Sequence, residues 1–212
     1  MARGRFIALE GGEGCGKSTQ ARLLVDALRH RGIAVELTRE PGGTPGAEAI
    51  RRLLLDPPGE GWGPQAEALL FAAARADHVA RLIRPAIEEG RWVVSDRFVD
   101  SSRAYQGGAG GIGDEVVQAL HAIGSDGLRP DLTIILTVDA ETALERTRLR
   151  DGDVGDAIGN RDAPYHRAVS DTFARLAGES PSDFAIIPGG EAPETVHQAI
   201  MRAIAPFIAE AA

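Results

Sequence analysis

Gly11-Gly12-Glu13-Gly14-Cys15-Gly16-Lys17-Ser18 completes the spacing G-x-x-x-x-G-K-[ST]. Phe6-Ile7-Ala8-Leu9-Glu10 ahead of it is an apolar run of strand length. Behind it, Lys17 to about Arg31 places Leu23, Leu24, Ala27 and Leu28 along one helical face. Strand, glycine loop and helix in that order are the setting in which this spacing cradles phosphate. Glycines let the backbone wrap the oxygens while N–H groups converge at a helix N-terminus. Residues 11–18 are therefore expected to bind a nucleoside triphosphate. Lys17 would reach the β- and γ-phosphates, and the Ser18 hydroxyl would ligate Mg²⁺. A glycine-rich turn that merely precedes a helix does not account for every fixed position and both flanks together.

The rest of the chain alternates in the same way. Strand-like runs at Phe6–Glu10, Ala34–Thr38, Trp92–Ser95, Leu132–Val138 and Phe184–Ile187 are separated by helical patterns. Those patterns cover Lys17–Arg31, Pro45–Leu55, Pro64–Glu89, Asp114–Ile123, Ala140–Arg150, Pro164–Ala177 and Pro193–Glu210. Such alternation predicts a parallel five-stranded sheet with helices on both faces, a three-layer α/β fold. No repeat or linker divides the sequence, so residues 1–212 are read as one domain. Asp151–Gly159 is polar, rich in Gly and Asp, and preceded by arginines; with its flanks it reads as a short lid over about residues 146–163.

A net charge of −8 leaves no overall basic footprint for nucleic acid, although arginines cluster locally. A single cysteine rules out an internal disulfide framework and suits a reducing, cytoplasmic setting. No apolar run is long enough to span a bilayer or to act as a secretory signal. His30, His78, His121, His166 and His197 are scattered, without zinc-ligand spacing.

A phosphate loop alone does not separate a kinase from a GTPase or a motor. Arg91-Trp-Val-Val-Ser-Asp96-Arg97 adds a strand ending in an Asp–Arg pair. Open α/β sheets bind ligands at the carboxyl ends of strands, so both residues would face the phosphates. Asp96 could order the waters of Mg²⁺, and Arg97 offers a planar fork to phosphate. An ordinary strand-end ion pair is the alternative for these two residues.

Four coupled segments then resemble bacterial thymidylate kinases. They are Phe6-Ile-Ala-Leu-Glu-Gly-Gly-Glu13-Gly-Cys-Gly-Lys-Ser18-Thr19, Thr38-Arg39-Glu40-Pro41-Gly42-Gly43-Thr44, Leu70-Phe71-Ala-Ala-Ala-Arg75-Ala-Asp77-His78, and Asp96-Arg97-Phe-Val-Asp-Ser101-Ser102-Arg-Ala-Tyr105-Gln106-Gly107. The resemblance runs to about residue 150 and weakens beyond. It implies Mg²⁺-dependent transfer from ATP to dTMP by a homodimer, with a basic residue in the lid because the phosphate loop carries none apart from Lys17.

Residue by residue, the resemblance implies Phe71 stacking on thymine and Arg75 bonding an exocyclic oxygen of the base. The two are four apart on a helix and share a face. Ser101 or Ser102 is placed to reach the base edge. Tyr105 resembles the tyrosine that closes the sugar's 2′ side, with Gln106 beside it; either could instead cap a loop, since Gln-Gly-Gly looks turn-like. Arg97, Arg39 and Arg51 are candidates for the acceptor phosphate, and Pro41 stiffens the loop beside it. Glu13 would repel ATP, which suggests that it faces the other substrate, at the sugar 3′-OH. The expected catalytic set is Lys17, Arg97, Glu13 and the lid arginines Arg148 and Arg150, with Arg146 on the ATP side. Any one of these three could be a solvated helix end. Many relatives carry D-R-[IYF]-E after the lid glycines, whereas this chain has Asp156-Ala157-Ile158-Gly159; Arg161 could compensate. Gly189–Pro193 is where related kinases hold adenine. Cys15 and the two tryptophans need no chemical role.

Two other readings use the same loop. Another nucleoside monophosphate kinase would prefer a different acceptor, and a non-catalytic nucleotide binder would release no ADP with any. The guanine signature N-K-x-D of GTPases is missing.

Overall fold

Every residue of the first apolar run is buried, and its alternation divides two layers. Ile7 and Leu9 enter one hydrophobic cluster, Phe6 and Ala8 the other. This strand, β1 (Phe6–Glu10), is the centre of a five-stranded parallel sheet in the computed structural model, which describes residues 3–151 and 161–211. The other strands are β2 (Val35–Arg39), β3 (Trp92–Asp96), β4 (Leu132–Thr137) and β5 (Phe184–Pro188), in spatial order β2-β3-β1-β4-β5. Strands buried on both faces with helical crossovers are the parallel arrangement that the sequence pattern predicts.

The order reverses at β1, and the register aligns Leu9 with Asp96 of β3 and with Ile134 of β4. The loop leaving β1 and the Asp–Arg pair leaving β3 therefore emerge side by side at the switch point, where open α/β sheets bind ligands. α1 (Lys17–Arg29) starts there and α2 (Pro45–Leu55) follows β2, capped by the Thr44 side chain.

Two elements differ from expectation. The helical pattern over 64–89 is split into α3 (Pro64–His78), a π-helical turn (Val79–Ile83) and α4 (Arg84–Glu88). Pro85 would collide with the Arg81 carbonyl in a regular helix. The turn widens instead, and the Arg84 N–H bonds back five residues to the Val79 carbonyl. The Gln106-Gly-Gly stretch, turn-like in sequence, lies in a π-helical segment (Arg103–Ala109) continuing α5 (Val99–Ser102). Its glycines serve close packing: a Cβ on Gly108 would lie 2.2 Å from Thr172 Oγ1. That threonine is on α8 (Ala163–Glu179), while α6 (Asp114–Ser125), α7 (Ala140–Asp151) and α9 (Pro193–Ala211) complete the layers. Among the described residues no helix is long and apolar enough to cross a membrane.

Candidate active site

The loop after β1 needs glycine at its first and fourth positions. Gly11 has φ 133° and a Cβ there would meet the Leu136 carbonyl at 2.3 Å; Gly14 has φ 68° and would meet the Ala143 carbonyl at 2.4 Å. Left-handed backbone under close neighbours admits only glycine. Lys17 is buried, and its Nζ donates to the carbonyls of Gly12 at 2.6 Å and Gly11 at 3.1 Å. The ammonium thus occupies the mouth of its own loop. Cys15 belongs to the hydrophobic core, with its Sγ 3.5 Å from Lys17 Nζ.

Beside the loop opens a cleft of about 730 Å³. It brings together Glu13, Gly14, Gly16, Lys17, Ser18 and Thr19 with Arg39, Pro41, Arg51, Phe71, Arg75, Asp96, Arg97, Ser101, Ser102, Tyr105, Gln106 and Arg146. Ser18 Oγ donates to Asp96 Oδ2. Arg97 is the hub. Its Nη1 donates to the Gly11 carbonyl at 3.2 Å and to Ser101 Oγ at 3.0 Å, and its Nη2 donates to Glu13 and, at 3.2 Å, to the Tyr105 hydroxyl. The backbone at Arg97 has φ 73°, costly for a residue with a side chain. Hydrogen bonds on either side hold it: Arg97 N–H to the Leu9 carbonyl at 2.9 Å, and Ser95 Oγ to the Arg97 carbonyl at 2.7 Å.

Beneath this turn lies Glu10, a residue that sequence reasoning passed over. Its carboxyl accepts from the N–H groups of Phe98 at 2.8 Å and Ser101 at 3.0 Å and from the Ser101 hydroxyl. Burial, and then the nearby charge of Asp100, push its pKa up to about 7, against the pull of Ser101 and Arg97. A carboxyl closing a strictly apolar strand was the available signal. Because the folded pKa lies above the unfolded value, the unfolded chain loses its proton first, and stability falls as pH rises from about 4.5 to about 7. Glu10→Gln cannot ionise. Denaturant titration at pH 5 and pH 8 should show a smaller loss for the variant, by up to about 3 kcal/mol; equal losses would exclude the assignment.

Across the cleft, Arg51 Nη1 donates to the Pro41 carbonyl at 2.7 Å, and exposed Arg39 pairs with Glu48. Phe71 is half-buried and lines the cleft instead of joining a core cluster. Arg75 is almost wholly buried. Its Nε donates to Glu40 Oε2 at 2.7 Å and its Nη2 to Ser102 Oγ at 2.8 Å and the Phe98 carbonyl at 3.3 Å. Gln106 donates to Glu67, which also receives Arg161 at 2.8 Å. Glu40, His78 and Glu67 are buried polar residues whose roles the sequence did not disclose. Glu40 and His78 stood inside recognised segments, and His78 continues the helical face of Phe71 and Arg75.

The lid arginines separate. Arg146 donates to the carbonyls of Gly189 at 2.8 Å and Gly190 at 3.3 Å, lining both the cleft and a smaller cavity of about 200 Å³ shared with Cys15, Gln20, Glu191 and Pro193. Arg148 is exposed and does not line the cleft. The Arg150 side chain and Ala157, with the rest of residues 152–160, lie outside the described residues.

A glycine loop after β1 and several arginines line one cleft, an arrangement suited to transfer between two nucleotides. With the five-stranded parallel sheet they define a P-loop kinase of nucleoside monophosphates. The family model for thymidylate kinase matches residues 9–200. A thymidylate kinase of Rhizorhabdus wittichii is 54% identical over 97% of this chain and 99% of its own length. One from a Bradyrhizobium species is 44% identical, covering 95% and 90%. The crystal structure of thymidylate kinase from Ehrlichia chaffeensis superposes with a TM-score of 0.77 at 30% identity, covering 95% of this chain and 99% of that one. The chain belongs to the thymidylate kinase family, whose reaction is phosphorylation of dTMP at the expense of ATP.

Proposed function

We propose that the cleft joins the γ-phosphoryl of ATP directly to a phosphate oxygen of dTMP, with Arg97 as the residue common to both halves. The supporting observation is that one guanidinium touches the Gly11 carbonyl of the phosphate loop and the Ser101–Tyr105 wall of the acceptor pocket. The acceptor oxygen bonds to the γ-phosphorus as the bond to the β,γ-bridging oxygen breaks, and ADP leaves; no enzyme nucleophile is needed. Lys17 exchanges the loop carbonyls for β- and γ-phosphate oxygens. Arg39, Arg51 and Arg97 hold the acceptor phosphate, and Glu13, paired with Arg97, faces the sugar. Ser18 and Asp96 offer adjacent hard oxygen donors, which fits Mg²⁺, an ion that takes most of its ligands from phosphate and water. The ion would supply charge neutralisation at the β- and γ-phosphates.

Arg75 reads the base in this proposal. With Nε and Nη2 engaged, Nη1 has no hydrogen-bond partner among the described residues and can donate to the C4 carbonyl of thymine. Phe71 stacks on the ring, Ser102 and Gln106 line its edge, and Tyr105 limits the 2′ side. Adenine sits by Arg146 and the Gly189–Pro193 loop. The whole chain acts as one kinase domain, with the lid over about 146–163 and its arginines, among them Arg148 and Arg150, closing on the donor. Exposed Leu53, Leu69, Val116 and Ile123 on the adjoining helices α2, α3 and α6 support a homodimer, which sedimentation equilibrium would reveal by mass. A cytoplasmic location rests on the lone buried cysteine and on composition, and cell fractionation would check it.

The deciding experiment is coupled ADP release with ATP and Mg²⁺ against dTMP, dUMP, dGMP, dCMP, AMP and UMP. A preference for dTMP over dCMP is expected, falling at least about 100-fold in Arg75→Ala, because a site built to hydrogen-bond loses discrimination when its donor is removed. Preference for another base would reject the thymine pocket.

A further inference from the structure

Behind Arg75 runs a chain of buried polar groups, of which Glu40 borders the cleft while His78 and Thr38 stand behind it. Glu40 Oε2 receives Arg75 Nε at 2.7 Å, and Glu40 Oε1 lies 3.0 Å from His78 Nδ1. His78 Nε2 lies 2.6 Å from Thr38 Oγ1. All four side chains are at least nine-tenths buried. Burial alone would raise the Glu40 pKa, yet Arg75 and His78 hold it below the ordinary carboxylate range. Glu40 is therefore an acceptor at both oxygens. A proton on His78 Nδ1 faces that carboxylate, and the Thr38 hydroxyl meets the other edge of the ring at Nε2, so the ring is held in one orientation.

Space has been kept for this chain. A Cβ on Gly43 would stand 2.4 Å from Thr38 Oγ1 and 2.6 Å from His78 Nε2. The end of β2, with Arg39, and the loop carrying Pro41 are thereby tied to the α3 face carrying Phe71 and Arg75. A free arginine side chain has many rotamers, and holding one edge of its planar fork determines where the other points.

We propose that Glu40, His78 and Thr38 form a positioning relay that sets nucleobase specificity without touching the base: it clamps the Nε edge of Arg75 so that Nη1 is presented to a C4 carbonyl and opposes a C4 amino group. The proposal rests on the reading of Arg75 given above. A carbonyl accepts from Nη1, whereas the amino group of cytosine sets donor against donor. Glu40 also adjoins Arg39 and Pro41 in the chain, so the same carboxylate links base reading to the acceptor-phosphate loop.

The test measures dissociation constants for dTMP and dCMP by calorimetry, and the KM for ATP, in Glu40→Gln, Thr38→Val and Arg75→Ala and in the pairs with Arg75→Ala. Both Glu40 partners donate, and an amide at this position accepts from only one while it turns donors toward the other. Glu40→Gln should weaken dTMP binding by about 10-fold or more while dCMP changes much less, so their ratio contracts. Thr38→Val keeps the packing volume and should contract the ratio in the same direction by several-fold, about the cost of one hydrogen bond. The KM for ATP should stay within about twofold, and neither change should alter the ratio further once Arg75 is alanine. Equal weakening of both nucleotides would assign these residues to general stability and overturn the relay. A further change of ratio in the Arg75→Ala background would mean that they act by another route, which also overturns it. An unchanged ratio in Arg75→Ala alone would remove the base-site reading, and the relay with it. Contraction in the single variants but not in the pairs supports the proposal.

Discussion

Arg97→Ala should lower kcat/KM for dTMP by about three orders of magnitude or more, the range in which arginines act on a transferring phosphoryl group. The magnitude follows from how many positions one side chain holds. Its guanidinium bonds the Gly11 carbonyl, Ser101 Oγ, Glu13 and Tyr105, and although burial opposes its charge, the neighbouring carboxylates of Glu13 and Asp96 hold it protonated. Truncation removes the charge that the acceptor phosphate needs. It also removes the ion pair between Arg97 and Glu13, a carboxylate of the phosphate loop. Arg97→Lys should recover little, because an ammonium cannot bond both walls with a planar fork. Steady-state kinetics with dTMP varied would show the loss mainly in kcat/KM. A drop below tenfold in Arg97→Ala would contradict the role assigned to it.

Much of this site could be read in the chain before any geometry was known, because each motif was carried by local chemistry. Gly11, Gly14 and Gly16 announce left-handed turns, and the structure places all three at positive φ. Phe71 and Arg75 share a face by spacing alone. The strands fell within a residue of expectation, since apolar runs bounded by turns leave few alternatives. What escaped the sequence depended on contacts between distant segments. Glu10 meets Ser101 across 91 positions, Glu40 meets Arg75 across 35, and Glu67 receives both Gln106 and Arg161. Nothing local marks such pairings, so a buried carboxylate reads as one more surface charge. The π-helical segments escaped for a related reason: Pro85 and Gly108 are ambiguous until the neighbouring carbonyl or the Thr172 side chain is in place.

Lys17→Met should leave the fold intact and reduce kcat by about 10²–10³-fold, the cost of removing one preorganised donor from a developing charge. Methionine fills the same channel, and the structure shows what it would forfeit. Lys17 Nζ spends its protons on the carbonyls of Gly11 and Gly12, which also stiffens the loop. When a triphosphate enters, the ammonium can turn from those carbonyls to phosphate oxygens. The carbonyls themselves remain able to accept, so their partners in the variant would be water. Ground-state binding of ATP should weaken less than kcat falls, since the glycine-loop N–H groups still cradle the phosphates. The check is a pair of measurements: ATP dissociation constants by calorimetry and single-turnover rates with saturating dTMP. If binding and rate fell by the same factor, Lys17 would be holding the substrate equally in the ground and transition states, and its part in transfer would reduce to anchoring.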